Sequence, residues 1–225
     1  MTTPDGGERP RVVGIIAAGG SGERLGADGP KAFVFLAGRP MVDWSHDVLA
    51  AVCDRVVVAV PAGYEDDGPD RIVGGVSRSA SVRNAVVTAP EATVFVVHDA
   101  ARPLIDHDLI ERCLEPLQAF DGAVAAVRLT DTVKQADGAG RVMATLDRST
   151  LWTVQTPQAF RAVALRAALE VDEALLASAS DDASLVERAG GRVAIVEGHP
   201  SNLKITSPLD LAIAHRLIEE VPRGV

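Results

Sequence analysis

Cysteine is nearly missing from this chain: Cys53 and Cys113 are the only two, with no CxxC spacing between them. That excludes a disulfide framework and points to a reduced, cytoplasmic setting. Positive charge is also short. Against 31 Asp and Glu there are 22 Lys and Arg, a net charge of -9, which argues against a nucleic-acid or anionic-membrane surface, since such binding draws on clustered cations. Any phosphate site must then be a local positive pocket in an acidic protein. No apolar run approaches the length of a transmembrane helix, and MTTPDGGERPR lacks the apolar core of a signal peptide, so residues 1–10 are expected to be a flexible tail. Internal repeats and low-complexity linkers are missing. So is any convincing Ser-His-Asp or Cys-His constellation.

What is present is 47% hydrophobic residues over 225 positions, enough to bury one sizeable core. Short β-branched runs alternate with longer helical patterns. That alternation predicts an α/β, Rossmann-like fold: a largely parallel sheet flanked by helices, as a single domain over residues 11–225. Strands are expected at Val12 to Ala17, Arg55 to Val60, Thr93 to Val97, Ala123 to Val127 and Arg192 to Val196. Helices are expected at Val42 to Val52, Ser79 to Thr88, Asp106 to Phe120, Arg161 to Leu176, Ala183 to Ala189 and Pro208 to Glu220. From Thr130 to Thr145 the rhythm breaks: alternating residues flank Asp137-Gly138-Ala139-Gly140, a hairpin signal. With little apolar material to bury against its own domain, this segment, about 130–148, predicts a projecting β-hairpin arm and a homodimer.

Ligands of open α/β sheets sit beyond the carboxyl ends of the strands, and four segments there carry chemistry. After the first strand, Ala18, Gly19, Gly20, Ser21 and Gly22 lead to Arg24 and Lys31. Glycines let backbone N–H groups approach phosphate oxygens, and the two cations add charge that amides lack. The spacing of Gly20, Gly22 and Gly26 misses the dinucleotide fingerprint by one residue. Lys31, between Pro30 and Ala32, does not fit a P-loop either. HDAARP follows the third strand, where Asp99 is either a turn cap or a magnesium ligand, magnesium being typically held by one or two carboxylates plus substrate phosphates. His98 should point the other way, as a structural residue.

NLKITSP reads as a short strand whose Lys204 is either a snorkelling edge residue or catalytic. In LDRSTLWTVQTPQAF, Arg148 taken alone is a surface charge, and Thr156, Pro157 and Gln158 read as a constrained turn before a helix. GGVSRSAS, Gly74 to Ser81, could present backbone groups and Ser81 to a base or ribose, or be a plain capped turn. Ser180, Asp181 and Asp182 read as an N-cap and first turn.

In this order AGGSGERLG with Lys31, GG-x-S-R-x-x-S, HDAARP, DTVK, DR with QTPQ, and NLKIT resemble the 2-C-methyl-D-erythritol 4-phosphate cytidylyltransferases, from about Val12 to Glu220. The resemblance implies a nucleotidyltransferase that moves CMP from CTP to a polyol phosphate, with Mg²⁺ held in part by Asp99. It implies that Arg24 and Lys31 stabilise the transition state, and that Lys204 and Arg148 position the methylerythritol phosphate. Arg148 and Thr132 would reach it from the partner subunit's arm. Ala18, Gly19, Gly20 and Gly22 would hold the phosphates and ribose, and Gly75, Ser81, Ala100 and Ala101 the cytidine. Ala32 stands where many relatives have Gln, and Ser180 where many have Thr, which bears on fine substrate contacts. A ribitol 5-phosphate or other polyol-phosphate cytidylyltransferase would share the chemistry; a CTP-binding regulatory module would share the pocket without needing every charge aimed at a transition state. A phosphomonoester with a second pKa of about 6 is already ionised at neutral pH, so this reaction needs no general base.

Overall fold

A computed structural model describes residues 9–26, 29–66 and 70–220, so most of the tail expected over residues 1–10 lies outside the described residues. The strands run in chain order as β1 (Val12–Ala17), β2 (Phe35–Leu36), β3 (Arg39–Pro40), β4 (Arg55–Val60), β5 (Arg71–Val73), β6 (Val94–Asp99), β7 (Gly122–Arg128), β8 (Lys134–Ala136), β9 (Val142–Thr145), β10 (Trp152–Arg161) and β11 (Val193–Glu197). The helices are α1 (Met41–Val52), α2 (Arg78–Val87), α3 (His107–Leu114), α4 (Ala162–Leu169), α5 (Glu173–Ser178), α6 (Asp182–Arg188) and α7 (Pro208–Glu220).

Seven strands form one sheet in the order β11-β7-β10-β6-β1-β4-β5, parallel throughout except for β10. Runs such as VVGIIA and RVVVAV are apolar at nearly every position because helices cover both faces, leaving no strand side to solvent. Successive β1 residues serve opposite layers. Val13 and Ile15 join the core under α2, α4 and α6, with Val82, Leu165 and Leu185, while Ile16 joins the core under α1 and α3, with Leu49 and Ile110. A third cluster, around Leu36, Met41, Leu104, Ile205 and Ala214, seats α7 beside the sheet's carboxyl edge. The β8–β9 pair is the expected hairpin, with Lys134 opposite Thr145 and Asp137 closing the turn by accepting from the N–H groups of Ala139 and Arg141. Its strand residues are exposed apart from half-buried Ala144.

Four expectations change. Asp106 to Phe120 is α3 followed by a short 3₁₀ turn, because Pro116 offers no N–H to continue the α pattern. Arg161 to Leu176 is the last residue of β10, then α4, then a break at Asp172, whose side chain caps α5 by accepting from Leu175 N–H. Thr156, Pro157 and Gln158 lie inside β10. The β7–β10 register shifts between Val154 and Gln158, and this irregularity accommodates a proline that cannot donate to the ladder. Leu203 to Thr206 is not a strand: one bond, from Ile205 N–H to Ala101 C=O at 2.8 Å, ties it to the loop after β6.

Because β10 is antiparallel, it starts where the other strands finish: Trp152 pairs with Arg128 at the end of β7. Val154, Gln155 and Thr156 therefore join the carboxyl edge.

Candidate active site

The glycine turn after β1 is pinned by Lys31 N–H, which donates to Gly20 C=O at 2.9 Å, so residue 31 folds back beside residue 20. Gly22 makes that turn possible. Its φ is 81°, and a Cβ there would lie 2.4 Å from Gly29 C=O. At Gly19 and Gly20 the protein makes no such demand, since a Cβ would meet nothing closer than 3.8 Å. Their bareness opens backbone to a cavity rather than relieving a clash.

Asp99 closes β6 with its carboxylate between two cations. Arg78 Nε lies 2.7 Å from Oδ1 and Lys204 Nζ 2.6 Å from Oδ2. Burial alone would raise this carboxyl's pKa, but the two cations outweigh it and hold the group well below the usual carboxylate range. Beneath it, Asp99 N–H donates to Thr156 Oγ1 at 3.1 Å, and Thr156 Oγ1 lies 3.0 Å from His98 Nδ1. Buried His98 has its pKa lowered to about 4, chiefly by desolvation, so it is neutral at physiological pH. Its Nε2 faces Arg102 C=O at 3.1 Å and must donate; Nδ1 then accepts from the Thr156 hydroxyl. The structural role expected of His98 is to brace the backbone of Asp99.

Arg78 opens α2, which Ser77 caps by accepting from Ala80 N–H. Ser81, 3% exposed, donates to Ser77 C=O and accepts from Gly75 N–H. The capped turn is thus real, and the same serine still faces the cavity. Lys204 is set by its neighbours: Ile205 is buried in the third cluster, and Asp210 accepts from Thr206 and Ser207 N–H, each at 2.8 Å.

Three adjoining cavities line the sheet edge. The first, about 340 Å³, is bordered by Gly19, Gly20, Arg24, Lys31, Gly75, Arg78, Ser81, Asp99, Ala101 and Lys204. A second, about 350 Å³, shares Arg78, Asp99 and Lys204 with it and extends over Arg102, Gln155, Thr156 and Asp181. The third, about 230 Å³, shares Gly20, Arg24 and Lys31 with the first and adds Gly22 and Thr206. Ala18 and Ala100 lie buried behind the first, with their N–H groups taken by Ala59 C=O and Ala17 C=O. Thr132 and Arg148 line none of the three. Both are exposed near the foot of the arm, where Arg148 donates to Thr130 C=O.

Four cations converge on the first cavity, Arg24, Lys31, Arg78 and Lys204, against the single carboxylate of Asp99. Lys31 shows the strain of that crowding: burial, then Lys204 and, after an opposing pull from Asp99, Arg24 bring its pKa below 10.5. An arriving phosphate would reverse that shift, and such perturbed groups in clefts mark functional sites. Among the described residues no cluster of three or more His, Cys, Asp or Glu could hold a metal. Asp99 is the one carboxylate among the described residues that borders the first cavity, and a magnesium ion there would take it together with substrate phosphates and water, the usual coordination in nucleotide sites.

Two site residues were not singled out from sequence. Arg78 lies within the quoted GG-x-S-R motif and Arg102 within HDAARP, yet neither had a role assigned. Arg102 borders the second cavity, gives Nη1 to Asn202 C=O at 2.8 Å and keeps a buried Nε without a partner. Asp182 has turned inward, while Asp181 caps α6 by accepting from Ser184 N–H as expected.

A family model described as 2-C-methyl-D-erythritol 4-phosphate cytidylyltransferase matches residues 12–220. A protein of that name from Nocardia farcinica is 46% identical over 220 residues, covering 92% of this chain and 94% of that protein. One from Deinococcus radiodurans is 42% identical, covering 96% of this chain and 93% of its own. The crystal structure of the Thermus thermophilus protein of that name superposes with a TM-score of 0.78 at 34% identity, over 93% of this chain and 99% of that one.

Proposed function

This chain belongs to the 2-C-methyl-D-erythritol 4-phosphate cytidylyltransferase family, and we propose from that membership how its strand-edge cavities perform the reaction. The enzyme is a nucleotidyltransferase of isoprenoid precursor biosynthesis: it moves CMP from CTP to 2-C-methyl-D-erythritol 4-phosphate, giving 4-diphosphocytidyl-2-C-methyl-D-erythritol and pyrophosphate. One observation supports placing that chemistry here, the convergence of Arg24, Lys31, Asp99 and Lys204 on a cavity floored by Gly19 and Gly20.

The order of the cavities supports an assignment of roles. The α-phosphate sits in the first, over Gly19 and Gly20, with the cytidine beside Gly75, Ser81 and Ala101. The acceptor phosphate enters from the second cavity past Lys204 and Arg102. The β- and γ-phosphates extend toward Gly22 in the third. The nucleophile then approaches the reacting phosphorus from the side opposite the departing pyrophosphate, as in-line displacement requires. The attacking phosphate oxygen is already ionised, so the protein's task is to bring a dianion to a triphosphate and to stabilise the charge that builds. Arg24 and Lys31, shared by the first and third cavities, meet that charge as pyrophosphate departs. Asp99 with the phosphates would hold Mg²⁺, which when bound neutralises phosphate charge and aligns the oxygens.

Arg148 and Thr132 belong, in this reading, to a homodimer in which each arm serves the other protomer's acceptor site. The exposed arm, with Val142 and Met143 56% and 58% accessible, supports it. So does the fact that neither residue lines any of its own chain's three cavities. Mixing inactive Lys31→Ala and Arg148→Ala proteins should restore about a quarter of parent activity, since half of random dimers are mixed and each has one intact site. No recovery would refute arm exchange. Two free buried cysteines support a cytoplasmic location; among the described residues no helix is long and apolar enough to cross a membrane. Neither nucleic acid nor membrane is proposed as a partner, given the net charge of -9.

The direct test is pyrophosphate release from CTP and Mg²⁺ with each acceptor. Release with methylerythritol 4-phosphate, and little with ribitol 5-phosphate, is expected. Preference for ribitol 5-phosphate, or CTP binding without turnover, would refute the assignment.

A further inference from the structure

Asp182 is 0% exposed, yet it does not cap its helix; Asp181 does that. Its Oδ2 takes Arg78 Nη1 at 2.6 Å, and its Oδ1 has no hydrogen-bond partner. A carboxylate buried with half its accepting capacity unused is a poor device for stability, because an apolar side chain of similar volume would serve as well or better. What it does accomplish is geometric. The Arg78 guanidinium is a rigid planar fork, and Asp182 holds one tine while Nε meets Asp99 Oδ1 at 2.7 Å. Arg78 can therefore touch only one oxygen of Asp99, leaving Oδ2 to Lys204 at 2.6 Å. Were Asp182 neutral, its oxygen would hold Arg78 Nη1 less strongly than a carboxylate does, and Arg78 could turn both nitrogens onto Asp99, the bidentate pairing arginine favours with carboxylates. Lys204 would then lose its partner at the boundary of the first and second cavities.

We propose that Asp182 is a positioning residue for cytidylyl transfer, acting through Arg78 to leave Asp99 Oδ2 to Lys204 and so hold Lys204 in register. The role rests on the reading of the site given above. It joins α6, α2, β6 and the segment before α7 in a chain of alternating charge, Asp182, Arg78, Asp99 and Lys204. Arg24, Lys31 and the glycine turn stand outside that chain, so CTP binding should survive its disruption while alignment of the acceptor does not.

The test is steady-state kinetics with CTP and methylerythritol 4-phosphate, and calorimetric CTP binding, on the parent, Asp182→Asn, Arg78→Met and the double variant. Loss of an orienting partner behind a reacting group costs about 10- to 100-fold, and that loss is expected in kcat for Asp182→Asn, with the CTP dissociation constant changed by less than about threefold. Because Asp182 works through Arg78, the double variant should be no slower than Arg78→Met alone. A kcat for Asp182→Asn within about twofold of the parent, a matching loss of CTP affinity, or additive losses would each overturn the role. Should Asp182→Asn not fold, Arg78→Met combined with Asp182→Leu leaves no lone buried charge. A kcat equal to that of Arg78→Met then supports the role, and a further drop of about tenfold overturns it. A parent that binds CTP but transfers nothing refutes the functional reading and this role with it; an active parent with an equally active Asp182→Asn refutes this role alone.

Discussion

Lys31→Ala is expected to fold as the parent does and to turn over about 100 to 1000 times more slowly, the loss seen when a preorganised group facing transition-state charge is removed. The geometry favours so large an effect. Lys31 is half-buried, fixed to the glycine turn through Gly20, and borders both the first cavity, where we propose that the reacting phosphorus sits, and the third, proposed for the departing pyrophosphate. In the free enzyme its charge is poorly accommodated, since burial and the cations of Lys204 and Arg24 together lower its pKa against the opposing pull of Asp99. A group whose folded pKa is depressed below its unfolded value of 10.5 contributes no stability by being protonated at neutral pH; its charge is a cost. Alanine removes that cost together with the catalysis, so thermal denaturation should show no loss of stability. Pyrophosphate-release kinetics with circular dichroism provide the check. A parent-like rate would remove Lys31 from the mechanism.

Much of this was legible in the chain itself, and the limits are physical. Val12–Ala17, Arg55–Val60 and Pro208–Glu220 fell where their patterns placed them, because buried parallel strands and an amphipathic helix write their periods directly into sequence. The antiparallel β10 did not, since Pro157 and the polar run from Gln155 to Gln158 imitate a turn; its strand conformation is imposed by neighbours β6 and β7. The sharp turn after β1 could be read from its glycines because its logic is local. Arg78 could not be tied to Asp182, nor Asp99 to Lys204, by any local rule: 104 and 105 positions separate the partners, and only the sheet order brings them together. An inward-facing carboxylate at the start of a helix looks, in sequence, like any other first-turn acid.

Removal of Asp99 carries the largest expected cost to the fold. Its side chain is 10% exposed and is the shared partner of Arg78 and Lys204, so Asp99→Ala leaves a partly buried guanidinium with Asp182 alone and takes from the Lys204 ammonium its carboxylate partner. Breaking a buried ion pair from one side destabilises by about 3–5 kcal/mol; because Lys204 is 41% exposed and Arg78 keeps Asp182, the loss expected in urea unfolding at pH 7 lies below that range, alongside loss of turnover. The pH dependence separates charge from packing. The folded pKa of Asp99 lies below its unfolded value of 3.8, so its electrostatic contribution is fully present above that value and is lost only as the pH falls further. The stability gap between parent and variant should therefore stay constant from pH 7 down to about pH 4 and narrow below it. A gap already shrinking between about pH 7 and pH 5 would mean that a group of higher pKa carries the stabilisation, and Asp99 would lose its place as the centre of the charge chain.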